Sequence, residues 1–102
     1  MHQVYILYSQ LYDKFNLGES CNAENRTIEH NTGRYANAST SYTNDWQLKM
    51  EMTLQNRKDA LIVERYLKSM KSKVFLIKLV SDVNFFYAFK IAVLEKFGII
   101  IL

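Results

Sequence analysis

Between residues 46 and 70 the spacing of apolar side chains changes from two to about 3.6, and this change constrains the fold most. Trp46-Gln47-Leu48-Lys49-Met50-Glu51-Met52-Thr53 alternates apolar and polar. That is the pattern of a half-buried strand, whose successive side chains point to opposite faces. Directly afterwards, Ala60, Leu61, Glu64, Leu67 and Lys68 fall at the spacing of one helical stripe. Asn56 is placed to cap a helix over Arg57–Met70. Strand and helix follow one another with no room for a domain boundary, so both must share one core. Glu64 sits on or beside the apolar stripe, where a carboxylate is costly unless it is paired, metal-bound or facing a cleft. Pairing with Lys68, one turn on, is the plainer of these alternatives.

The chain has 102 residues, enough for one domain with one modest core. Its composition, 49% hydrophobic and 23% charged, excludes collagen-like, coiled-coil and disordered classes. There is no proline, so no Pro-rich linker or ligand is present. The lone Cys21 has no partner for an internal disulfide and too few His/Cys neighbours for a zinc site, which fits a reduced, intracellular setting. The first residues lack a basic segment and a small-residue cleavage site, so a secretory signal is not expected and a cytoplasmic location is.

Other elements follow from local chemistry. Val4-Tyr5-Ile6-Leu7-Tyr8 is β-branched and aromatic, a first strand. Lys14-Phe15-Asn16-Leu17-Gly18 reads as its hairpin partner, with Gly18 closing it at a bend or a close backbone approach. Ser20 or Asn22 can cap a helix over Ala23–His30, which Asn31-Thr32-Gly33 stops. Arg26 and His30, four apart, share a face of that helix. Residues 33–45 read as a surface loop, and Lys73 to Val80 as a second basic helix.

Charge is uneven. Residues 1–56 carry four Lys/Arg against six Asp/Glu, whereas residues 57–78 carry seven against two. A basic block on a near-neutral chain fits a polyanionic partner, with a solvated helix face as the plain alternative.

Taken in order, the motifs become specific. Val4-Tyr5-Ile6 is followed by Asn16-Leu17-Gly18, by a helix with Arg26 and His30, and by Asn31-Thr32-Gly33. Trp46 opens a third strand, and a helix carries Ala60-Leu61-Ile62-Val63-Glu64, then Leu67-Lys68-Ser69-Met70-Lys71-Ser72-Lys73. Over about residues 2–80 this resembles the GIY-YIG endonuclease domain, most closely its short stand-alone bacterial members. The resemblance implies a small α+β domain, a three-stranded antiparallel sheet flanked by helices. It implies Mg²⁺-dependent cleavage of DNA, with RNA an open alternative; no membrane partner is expected, since no apolar run is long enough to span one.

By the same resemblance, Tyr5 matches the first motif's tyrosine, Arg26 the arginine on the scissile phosphate, and His30 a residue that orients or deprotonates that tyrosine. Glu64 matches the carboxylate that holds the metal. The second motif keeps Gly18 but has Asn16 where the family has tyrosine, and the adjacent Glu19 is expected to place a negative charge near the phosphate. Lys68, Lys71 and Lys73 are the expected nucleic-acid contacts. The chemistry suits these residue types. Arg presents a fixed fork of donors to phosphate oxygens. Mg²⁺ takes few protein ligands and completes its shell with water and substrate. Histidine exchanges a proton near neutral pH.

Two other readings stand beside this one. The first is a catalytically degenerate domain that binds nucleic acid without cutting. The second is an interaction module whose apolar segment 81–102, to which the resemblance does not extend, docks on a partner or on a second copy to form a homo-oligomer. That tail is expected to be a helix over Phe85–Phe97, capped by Asn84 and ended by Gly98, packed on the domain or on a second copy. The domain is expected to have a complete core without it. It falls short of the ~20 near-continuous apolar residues of a membrane span.

Overall fold

A computed structural model describes residues 1–33 and 40–102. Residues 34–39, part of the expected surface loop, lie outside them. The fold is α+β. Strands β1 (His2–Ser9), β2 (Lys14–Ser20) and β3 (Trp46–Leu54) form an antiparallel sheet in the order β2-β1-β3. Helices α1 (Ala23–Asn31), α2 (Arg57–Met70), α3 (Lys73–Ser81) and α4 (Val83–Phe97) flank it. β1 is therefore the central strand, which explains its continuous apolar run. Val4 and Ile6 face one side, Tyr5 and Leu7 the other, and all four are buried. The turn between β1 and β2 includes Asp13 at φ 52°, a left-handed position that Asp tolerates better than most residues.

Each sheet face has its own cluster. Val4, Ile6, Met52 and Leu54 pack with Ala60, Val63 and Leu67 of α2 and Leu79 of α3. On the opposite face, Tyr5, Leu7 and Trp46 pack with Ala23 of α1. β3 serves both faces although its sequence alternates without interruption. Ile6 pairs with Met50 but Leu7 pairs with Leu48, so Lys49 is the extra residue of a bulge. Trp46 and Leu48 therefore face α1, while Met50 and Met52 face α2.

Every helix starts on a side-chain cap. Asn22, Asn56, Ser72 and Asp82 each accept a backbone N–H from the first turn that follows. Of the two candidates for α1, Asn22 is the cap. The cap of α4 is Asp82 rather than Asn84, because the Asp82 carboxylate accepts from both Asn84 N (2.9 Å) and Phe85 N (3.2 Å). α2 buries Ala60, Val63 and Leu67. Leu61, expected in that stripe, is 37% exposed, because the buried line runs through Val63 instead.

The tail is helical and ends at Gly98 in the left-handed region. The expectation of a core complete without it does not hold. Phe89, Val93, Ile99 and Ile101 belong to the same buried cluster as Val4 and Ile6. Tyr66 stacks on Phe89 and meets Phe97 edge-on, and Phe75 meets both Phe85 and Phe89. The Leu102 N–H donates to the Thr53 carbonyl of β3 at 2.8 Å. Val83, Tyr87, Ile91 and Leu94 line the outer side of α4 and are exposed. Among the described residues, no helix is long and apolar enough to cross a membrane.

Candidate functional site

Tyr5 and Gly18 are cross-strand partners. A Cβ on Gly18 would lie 2.3 Å from the Tyr5 Oη and 2.4 Å from its Cζ. The phenol therefore lies across the glycine, and only a residue without a side chain leaves it room. This is the close approach expected at Gly18. The glycine does not close the strand, however, because β2 continues to Ser20. Tyr5 is 3% exposed, so its ring has little freedom to move elsewhere.

α1 lies over this face. The Gln3 side-chain oxygen accepts the Ala23 N–H at 2.8 Å, anchoring the start of the helix to β1. The helix carries Arg26 and, one turn on, His30. His30 Nε2 stands 3.5 Å from the Tyr5 Oη, and the two ring planes are tilted by 59°. On its other side, His30 Nδ1 is 2.7 Å from the Thr40 hydroxyl. Burial holds the His30 pKa below its ordinary value, with a smaller contribution from the Arg26 charge, while Glu29 opposes both. A ring held neutral is able to accept a proton.

The frame around His30 is closed by polar contacts. The Trp46 indole N–H donates to the Thr40 carbonyl at 3.1 Å. Asn31, next to His30, accepts the Trp46 N–H and donates to the Trp46 carbonyl, both at 2.8 Å. This amide mimics a strand partner and ties the end of α1 to the start of β3.

The remaining predicted residues are set around the outer edge of β2. Asn16 pairs with Leu7, which puts its side chain on the Tyr5 face. It also lines a groove of about 290 Å³ with Phe15, Leu17, Lys68, Lys71 and Ser72. Glu64 is on α2, whose buried side packs on the other sheet face. Its side chain is 16% exposed, and its carboxylate pairs with Lys68 at 2.8 Å. The structure brings Tyr5, Gly18, Arg26 and His30 together, and brings Asn16, Lys68 and Lys71 together. Glu64 joins the second group through Lys68 and has no hydrogen bond or ion pair to Tyr5 or His30.

Lys73 is engaged elsewhere, with its ammonium on the Asp13 carboxylate and carbonyl. The expectation for Glu19 is corrected. It pairs with Val4 across the hairpin, so it points to the α2 face, where it meets His2 and Arg57. Its charge is directed away from Tyr5.

Among the described residues, no three His, Cys, Asp or Glu side chains converge to hold a metal. Of the residues expected to hold a metal, the one carboxylate is Glu64, shared with the Lys68 ammonium. That fits Mg²⁺ only in its usual protein mode, with water and substrate phosphate supplying the rest of the shell.

The sequence reading did not single out Thr40, Asn31 and the Trp46 indole as parts of the site. Thr40 belongs to a stretch with no periodicity. The local signal for Asn31 was as a helix stop, and its contact with Trp46 spans fifteen positions. Set against protein-family models, curated proteins and solved structures, the chain matches none.

Proposed function

We propose that this chain is a phosphodiester-cleaving domain of the GIY-YIG kind that acts on DNA. The observation that carries the reading is the Tyr5 hydroxyl, seated across Gly18 and facing a neutral His30 beside Arg26. A phenol between a substrate water and an imidazole can pass a proton from one to the other, so that His30 accepts what Tyr5 gives up. Arg26 supplies the fixed cation for the phosphate oxygens. Glu64 would hold Mg²⁺, which when bound neutralises phosphate charge and acidifies water. Lys68 and Lys71, lining one groove beside Asn16, give the strand a positively charged path along the edge of β2.

The test is nicking of supercoiled plasmid in Mg²⁺. Tyr5→Phe is expected to lower the rate by about 10²–10⁴-fold, the usual loss on removing a proton-transfer group. Glu64→Ala is expected to abolish nicking, and nicking that survives it unchanged sinks the assignment.

A second reading, binding without cutting, is favoured by two observations. Asn16 stands where the family has tyrosine, and Lys68 already neutralises Glu64. In that case DNA binding weakens steeply with salt while no nicks appear. Recovery of nicking in Asn16→Tyr would then identify a scaffold that has lost one proton acceptor.

A further inference from the structure

His30 is held from both sides, and the two contacts constrain where its proton sits. One ring nitrogen faces a phenol, Tyr5, and the other an aliphatic hydroxyl, Thr40. A neutral imidazole has one N–H donor and one lone pair, and the partner of one nitrogen fixes the role of the other. The phenol is much the more acidic hydroxyl, with a reference pKa of about 10, so it is the better donor to a basic nitrogen. The lone pair therefore belongs at Nε2, towards Tyr5. The hydrogen belongs at Nδ1, where the Thr40 oxygen accepts it.

We infer that Thr40 is a positioning residue that holds His30 in the Nδ1–H tautomer, leaving Nε2 as an acceptor aimed at the Tyr5 hydroxyl. Three observations favour Thr40 for this task. It is 5% exposed, so water competes little for its hydroxyl. Its carbonyl is tied to the Trp46 indole, which fixes where the residue sits. Trp46 is in turn clamped by Asn31, the neighbour of His30 itself. The contacts therefore form a closed circuit from His30 through Thr40, Trp46 and Asn31 back to α1. Among the described residues, the charged and titratable groups around the ring are Tyr5 from β1 and Arg26 and Glu29 from α1. None of these faces Nδ1 in the way Thr40 does.

The inference deepens the proposed proton path, but its test needs neither substrate nor cleavage. The full chain is labelled with ¹⁵N-histidine, and long-range ¹H–¹⁵N spectra are recorded near pH 7.5. His2→Gln assigns the second histidine. Wild type is expected to show His30 as one Nδ1–H tautomer, with an unprotonated Nε2 resonance. Thr40→Val, which keeps the shape and removes the hydroxyl, is expected to give a mixture of tautomers or the Nε2–H form. Thr40→Ser is expected to restore the single Nδ1–H tautomer.

An Nε2–H ring in wild type overturns the inference. So does a tautomer unchanged by Thr40→Val, or one that Thr40→Ser fails to restore. Should Thr40→Val not fold, the wild-type ring and Thr40→Ser still decide. If the tautomer is as expected while plasmid is never nicked, the positioning role stands and the nuclease reading falls. If nicking occurs with the opposite tautomer, the reverse holds.

Discussion

At the scale of single residues, the geometry turns on a missing side chain. Gly18 is in strand conformation, so no strained backbone dictates its identity. Only the Tyr5 phenol does, its Oη 2.3 Å and its Cζ 2.4 Å from where a Cβ would be. Gly18→Ala is therefore expected to displace a buried ring and destabilise the fold by about 1–3 kcal/mol, the usual cost of overpacking. In a Tyr5→Ala background the same change is expected to be close to neutral. Urea titration of the four proteins in this cycle measures the difference, and equal losses in both backgrounds would show that the ring is not the cause. The sequence announced the close approach at Gly18, because glycine in a strand signals it. It did not announce the partner, because cross-strand register is a tertiary property. Glu64 illustrates the same limit. Its place beside the apolar stripe and its pairing with Lys68 were readable from helical spacing. Which sheet face its helix covers was not.

At the scale of elements, the anchor of the β1–β2 turn makes its own prediction. The Asp45 carboxylate accepts from the Ser9 and Thr43 hydroxyls, both at 2.6 Å, and from the Leu11 N–H at 2.9 Å. These bonds favour the charged form and lower its pKa from 3.8 to about 2. The unfolded chain thus takes up this proton more readily than the folded one. The stabilisation is complete above about pH 4 and is lost as pH falls towards 2. Asp45→Asn is expected to be less stable than wild type at neutral pH and to show a shallower loss of stability across that acid range. Urea midpoints measured from pH 2 to 7 check this. A residual slope is expected from Asp13, whose pKa is lowered by Lys73 and Tyr8. Parallel profiles for the two proteins would remove Asp45 from the account. The helices were the most legible elements, since spacing and caps are local: α2 begins and ends where its sequence says. β3 was legible as a strand but not as a strand of two faces, because one unpaired residue leaves no trace in an unbroken alternation.

At the scale of the whole molecule, residues beyond the family resemblance complete the core. Phe89, Val93, Ile99 and Ile101 lie in the cluster that covers Val4 and Ile6. Phe89→Ala is expected to cost about 3–5 kcal/mol, and removal of residues 83–102 to abolish the cooperative unfolding transition. Calorimetry on the truncated chain checks this, and a sharp transition there would show the remaining domain to be self-sufficient. The resemblance stopped at residue 80 because it rests on motifs, whereas the tail contributes apolar volume and one backbone hydrogen bond to β3. The bulge at Lys49 has a wider consequence. It acts as a half-period phase slip between two otherwise regular waves of side chains. The apolar side chains of β3 before it, Trp46 and Leu48, are in phase with Tyr5, and those after it, Met50, Met52 and Leu54, are in phase with Ile6. Deleting Lys49 would leave a more regular strand in the wrong phase. Trp46 would turn towards α2, its indole would leave Thr40, and His30 would lose the support on its far side. An exposed lysine with no polar role at the site thus keeps the two halves of the molecule in step.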